Sequence, residues 1–206
     1  MPVYGEVLTL ALSFNCEQYK EPDGMKYHTY PSLKYEDDRQ ELWKGLLRQD
    51  LTFTATDSSF TTYLDKIAGR NVMDVRGGNI GIEIRMGLNY TEGVVKRGMS
   101  LEHFAATTST NAAKLLGMYP QKGAISVGSD ADIAIIDPSV KKALSMSDLH
   151  LRDYSPWEGW EVEGWPTTVM LRGNMMVDNG QLVGSPDVGK LIHRKITPSV
   201  LQRPAF

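Results

Sequence analysis

Residues 36–57 read EDDRQELWKGLLRQDLTFTATD, and this stretch decides the fold. Glu36, Asp37 and Asp38 put three carboxylates in a first helical turn, where the helix dipole favours negative charge. Leu42, Trp43, Leu46 and Leu47 then recur at the spacing of one apolar helix face. Residues 51–56, LTFTAT, are β-branched and aromatic and predict a strand that ends at Asp57. Upstream, residues 3–12 are apolar and β-prone, which predicts a buried strand. Residues 16–35, with Pro22, Gly24 and Pro31, form a long polar loop, a kind of segment that often carries function. The order strand, loop, helix, strand is the βαβ grammar of a parallel sheet or barrel. Asp57 therefore stands at the carboxyl end of a strand, where such folds place their active sites. The competing reading is a cap or turn aspartate.

Downstream, residues 58–81 read as a loop that closes on Gly77-Gly78-Asn79-Ile80-Gly81. Glycines there permit either a sharp turn or close approach of the backbone to a ligand, and on residue type alone the plain structural turn is the favoured reading. Their spacing is not that of a GxGxxG dinucleotide fingerprint. Helices are expected over 82–96 and 101–116, the second capped by Ser100 and stopped by Gly117. The grammar then changes. Residues 122–137 form a turn-rich β segment closed by Pro138, and residues 167–183 alternate strand and turn, with Gly173-Asn174 and Asn179-Gly180 as hairpin signals. The last stretch, with Pro198 and Pro204, reads as an extended tail.

The chain has 206 residues, 41% of them hydrophobic, and a formal net charge of -3 with both signs interspersed. That length can bury a real core, and the charge gives no electrostatic case for nucleic acid or an anionic membrane. No stretch reaches the ~20 apolar residues of a membrane span. A single cysteine, Cys16, rules out an internal disulfide, so the expected compartment is the cytoplasm. His28, His103, His150 and His193 show neither HxH nor HxxxH spacing, and no CxxC is present, so no conventional zinc site can be built locally. The GxSxG nucleophile elbow is absent as well. Trp157, Trp160 and Trp165 cluster with Tyr154, and core packing or subunit contact is the reading favoured over a substrate or nucleic-acid platform.

Residues 108–138, TSTNAAKLLGMYPQKGAISVGSDADIAIIDP, are similar to the hydantoinase/dihydropyrimidinase branch of the amidohydrolase superfamily. So are DYSPWEGWEV at 153–162, Gly164-Trp165-Pro166 and Leu171-Arg172-Gly173, while residues 2–6 (PVYGE) and Thr56-Asp57 fall in the same order. The resemblance runs from Pro2 to about Lys195. It implies an α/β fold: a (β/α)8 TIM barrel with a binuclear metal centre, usually zinc but replaceable by other divalent metals, and a β-sandwich built from both chain ends. This chain would supply the C-terminal part of the barrel over 1–120, the C-terminal portion of the composite sandwich over 121–185, and a tail over 186–206.

By the resemblance, Asp57 matches the aspartate that ends the last barrel strand, where it is a metal ligand and the proton shuttle. Tyr30 stands where a substrate-contacting serine is found. Gly77 stands near an asparagine whose backbone contacts the ring, which makes Gly77 and Gly78 expected substrate neighbours. Ser58 replaces a histidine common after the aspartate, a change pointing to a divergent ring specificity. The family's HxH pair, carboxylated lysine and two further histidines belong before residue 3 and have no counterpart. The implied activity is metal-dependent hydrolysis of a cyclic amide such as a hydantoin or dihydropyrimidine, with this chain a C-terminal portion that is inactive and holds no zinc by itself. The alternative is a non-catalytic association or complementation module. The expected partners are a cyclic ureide or amide, and either further copies of the chain, through residues 191–206, or a missing N-terminal half.

Overall fold

The computed structural model describes residues 3–71, 73–150 and 153–202. Strand β1 (Glu6–Leu8) and strand β2 (Phe53–Ala55) pair in parallel, with Val7 opposite Thr54. Helix α2 (Glu36–Leu47) joins them, so the expected βαβ unit is present. Its Trp43 and Leu46 are buried with Val7, Leu12, Met99 and Phe104, and the Trp43 indole N–H donates to the Leu12 carbonyl at 2.9 Å. The strand expected over 3–12 is shorter than expected. It gives way to helix α1 (Thr9–Ser13), in which the Ser13 hydroxyl donates to the Thr9 carbonyl at 2.8 Å. A short, fully apolar run suits a buried helix as well as a strand, and periodicity alone does not choose between them.

The loop over 16–35 is tightened by two single-turn helices, Cys16–Lys20 and Gly24–Tyr27. It is tied to α2 where the Asn15 amide donates to Glu36 at 2.7 Å. Arg39 and Gln40 also bind Glu36, and Arg39 above all holds its carboxyl down to about 2 from an ordinary 4.5. A depressed carboxyl contributes stability above its unfolded value and loses it as pH falls through its folded one. Because Glu36 is largely solvated, Glu36→Gln should cost under about 1 kcal/mol at neutral pH. It should also flatten the stability profile between 4.5 and about 2 in urea titrations across that range.

The stretch expected as loop over 58–81 contains helix α3 (Tyr63–Ile67), whose first N–H, that of Tyr63, donates to both Asp153 carboxylate oxygens at 3.0 and 3.1 Å. The two helices expected downstream are each interrupted. Helix α4 (Arg85–Asn89) runs into a wide π turn, Tyr90–Val95; helix α5 (Leu101–Ala105) is separated from helix α6 (Asn111–Leu115) by another, Ala106–Thr110. Thr91, Thr107 and Thr108 explain the widening. Their hydroxyls donate to the carbonyls of Gly87, His103 and Phe104, four residues back, and compete with the backbone ladder. Ser100 caps α5 by accepting from the His103 N–H at 3.2 Å. Gly117 ends α6 in a left-handed conformation, with the Met118 N–H returning to the Ala113 carbonyl at 2.8 Å.

Strands β3 (Ile133–Ala143), β4 (Glu161–Leu171), β5 (Asn174–Asp178) and β6 (Gln181–Leu182) form one antiparallel sheet in chain order. Pro138 does not close β3. The strand passes through it by a register shift between Asp137 and Lys141, where the missing N–H breaks no regular ladder bond. Likewise β4 begins well before Thr167. The β4–β5 hairpin turns on Arg172-Gly173, one residue ahead of the expected pair, while Asn179-Gly180 turns β5 into β6 as expected; all four residues have positive φ. The tail is not simply extended. Its Lys195 N–H donates to the Gly117 carbonyl at 2.9 Å, and it closes in helix α7 (Pro198–Gln202), where buried Val200 accepts from the Tyr4 hydroxyl. Pro2 and residues 203–206 lie outside the described residues.

A single core cluster draws Leu10, Phe14, Ile84 and Leu88 together with Leu144, Trp157 and Val162, from both sides of residue 120. The expected packing role of the tryptophans holds, with Trp157 almost wholly buried in this cluster. Among the described residues no helix is long and apolar enough to cross a membrane.

Candidate functional site

Because β1 and β2 run parallel, their carboxyl ends share one side of the molecule. Asp57 lies just past the end of β2, with φ of 47°, in the left-handed region that aspartate tolerates better than most residues. Its side chain is exposed. It opens on a cleft of about 490 Å³ whose walls include Val7, Leu8, Tyr30, Leu33, Arg39 and Asp57. The lining mixes aliphatic and aromatic side chains with the charged groups of Glu6, Lys34, Asp38, Arg39 and Asp57, a composition suited to a small ligand with a few polar atoms.

Tyr30 and the glycine loop are built against each other and against Asp57. The Tyr30 hydroxyl donates to the Val75 carbonyl at 3.0 Å. A Cβ on Gly77 would come within 2.4 Å of the Tyr30 ring, so only glycine lets the ring lie flat on this backbone. Gly78 has φ of 75°, and a Cβ there would meet the Asp57 carbonyl oxygen at 2.8 Å and the Ser59 Cβ at 2.7 Å. The Ser59 N–H donates to the Asn79 carbonyl at 3.3 Å, and the Gly81 N–H to the Ser58 hydroxyl at 3.3 Å. The four residues singled out from the sequence, Tyr30, Asp57, Gly77 and Gly78, thus sit together at one end of the two-stranded sheet.

Two residues at this place carried no signal in the sequence. Lys66 of α3 is wholly buried, and its ammonium donates to the carbonyls of His28, Arg76 (2.8 Å) and Gly78 (2.6 Å). Burial pushes its pKa down to about 8, against the opposing pull of the Asp57 charge. His28 is buried too, edge-on to the Tyr30 ring at 4.7 Å, and burial followed by the Lys66 charge lowers its pKa. The other histidines are partly or fully exposed.

A metal centre needs several converging ligands. Among the described residues no group of three or more histidine, cysteine, aspartate or glutamate side chains could hold an ion. Asp57 alone does not fit a binuclear metal, so no chemical step is assigned through one.

The amidohydrolase family model matches residues 25–176. The D-hydantoinase of Ralstonia pickettii is 37% identical over 197 residues, covering 92% of this chain and 42% of the relative. That of Geobacillus stearothermophilus is 35% identical, covering 93% and 42%. Among solved structures, D-hydantoinase from a Bacillus species, AR9, superimposes with a TM-score of 0.90 at 37% identity over 94% of this chain and 43% of that one. L-hydantoinase (dihydropyrimidinase) from Arthrobacter aurescens gives 0.82 at 29%, covering 88% and 41%. The chain belongs to the amidohydrolase family, in its hydantoinase/dihydropyrimidinase branch. It spans less than half the length of the relatives it matches.

Proposed function

We propose that this chain forms part of a hydrolase that opens cyclic amide rings of the hydantoin or dihydropyrimidine type, and that it supplies one wall of the ring pocket. The observation that carries the reading is that Asp57 and Tyr30 line one largely apolar cleft at the carboxyl ends of β1 and β2, with Gly77 packed on the Tyr30 ring and Gly78 on the Asp57 backbone behind them. In this reading residues 1–120 are the last strands and helices of a (β/α)8 barrel, 121–185 a share of a β-sandwich, and 186–206 a tail available for contacts between copies in a cytoplasmic oligomer.

Asp57 acts as the proton carrier. As water adds to the ring carbonyl carbon, its carboxylate takes the water proton; as the C–N bond breaks, that proton passes to the departing nitrogen. In this reading the Tyr30 ring and the Gly77–Gly78 backbone behind it border the substrate ring. A metal, zinc or another divalent ion, would hold Asp57 as one ligand, with the remaining ligands coming from residues beyond the described set. The 206-residue chain by itself is therefore expected to bind no stoichiometric metal and to turn over no ring.

Purified chain incubated with hydantoin or dihydrouracil and added zinc or manganese should show no ring opening by chromatography and no retained metal by elemental analysis. Robust turnover would overturn the partial-site reading. Mixing with a separately produced segment that supplies the missing ligands should restore turnover, and Asp57→Asn should abolish that restored activity.

A further inference from the structure

Lys66 is not used by the chemistry above, yet its placement is costly. An ammonium taken out of water is strongly disfavoured unless each of its hydrogens finds an acceptor. Here three donors meet three backbone carbonyls, one each from residues 28, 76 and 78. A neutral amine has only two hydrogens and would turn a lone pair toward one of those oxygens. The Asn79 side-chain amide adds a fourth donor, reaching the same His28 carbonyl at 3.2 Å. The carbonyls belong to the two segments that carry Tyr30 and Gly77–Gly78, and neither segment forms a strand or long helix that would hold it otherwise. The Tyr30 hydroxyl closes the same knot through Val75.

We infer that Lys66 is a positioning residue, a tethered cation whose ammonium clamps the 28–30 and 75–79 segments together and so fixes the Tyr30 side of the cleft beside Asp57. The inference rests on the reading of this cleft as a ring pocket for its purpose, but the clamp itself can be measured with no ring present. Half-buried Arg85 lacks this arrangement: it reaches the Thr54 carbonyl and hydroxyl and the Thr108 carbonyl, away from the residues that line the cleft.

Amide hydrogen exchange on the full 206-residue chain tests it. Lys66→Met keeps much of the aliphatic volume and removes the donors. It should speed exchange over 28–30 and 74–80 by roughly tenfold or more, leaving α2 and β4 close to wild type. In Lys66→Ala, methylammonium or ethylammonium chloride should restore the lost protection, because either cation brings N–H donors to the emptied cage. Tetramethylammonium, with equal charge and no N–H, should not. Unchanged exchange in Lys66→Met, acceleration spread equally over α2 and β4, or rescue by tetramethylammonium would each overturn the clamp. If Lys66→Met does not fold, the comparison of the two cation types on Lys66→Ala decides, and failure of the N–H cations to restore order overturns it. Failure of the ring-opening reading is seen separately, in the turnover and mixing assays.

Discussion

Trp157→Ala is expected to remove about 3–5 kcal/mol of stability, the range seen when a buried aromatic is cut back to a methyl. Trp157 is only 1% exposed. Its ring stands 5.5 Å from that of Phe14, and its six-membered edge lies against Gly81, where a Cβ would touch it at 3.4 Å. Its indole N–H donates to the Ser13 hydroxyl at 3.0 Å. The substitution therefore opens a void between α1, the end of the glycine loop and the β3–β4 connection, three places that cannot all relax inward. Urea unfolding followed by far-ultraviolet circular dichroism measures the loss without relying on the deleted fluorophore. A cost below about 1 kcal/mol would contradict the packing described.

Gly78→Ala is expected to be nearly as damaging, although it adds a single carbon. At a φ of 75° a side chain costs about 1–2 kcal/mol. The new Cβ would also press on the Asp57 carbonyl oxygen, which is backbone and cannot swing aside, so a further 1–3 kcal/mol, roughly, follows from the forced shift. Gly128→Ala is the control. It has φ of 92° with nothing within 4 Å, so it carries conformational strain without collision. The difference between the two variants in thermal or urea unfolding isolates the steric part. Equal costs would mean that the glycine loop does not lean on Asp57.

Much of this was readable in the chain before any coordinates. The α2–β2 unit was legible because dipole, periodicity and β-branching agree over one continuous stretch; topology offered Asp57 only as one of two readings, and the resemblance gave it a role. Residue type alone reads Gly77 and Gly78 as a plain turn, and only the resemblance sets them beside a substrate; their contacts with Tyr30 and Asp57 are long-range packing that residue type does not encode. Lys66 was not legible. Its burial depends on carbonyls 38, 10 and 12 residues away in sequence, and nothing in YLDKI distinguishes it from a solvated helix lysine. The passage of β3 through Pro138 was hidden for a related reason: a register shift is a property of the pair of strands, and Pro138 read singly is a stop. The same holds for α1, whose apolar run satisfies two periodicities and lies against β2, the Thr9 hydroxyl donating to the Ala55 carbonyl at 3.1 Å.

The cluster that joins Leu10, Phe14 and Leu88 to Leu144, Trp157 and Val162 has a genealogical consequence. A crossover near residue 120 would hand each descendant half an interior, however well the local motifs on either side survived. Lineages that trade pieces of this chain are expected to inherit residues 10–162 as one cassette, and to tolerate grafting at outer turns such as Asn179-Gly180, where no buried neighbour is left behind.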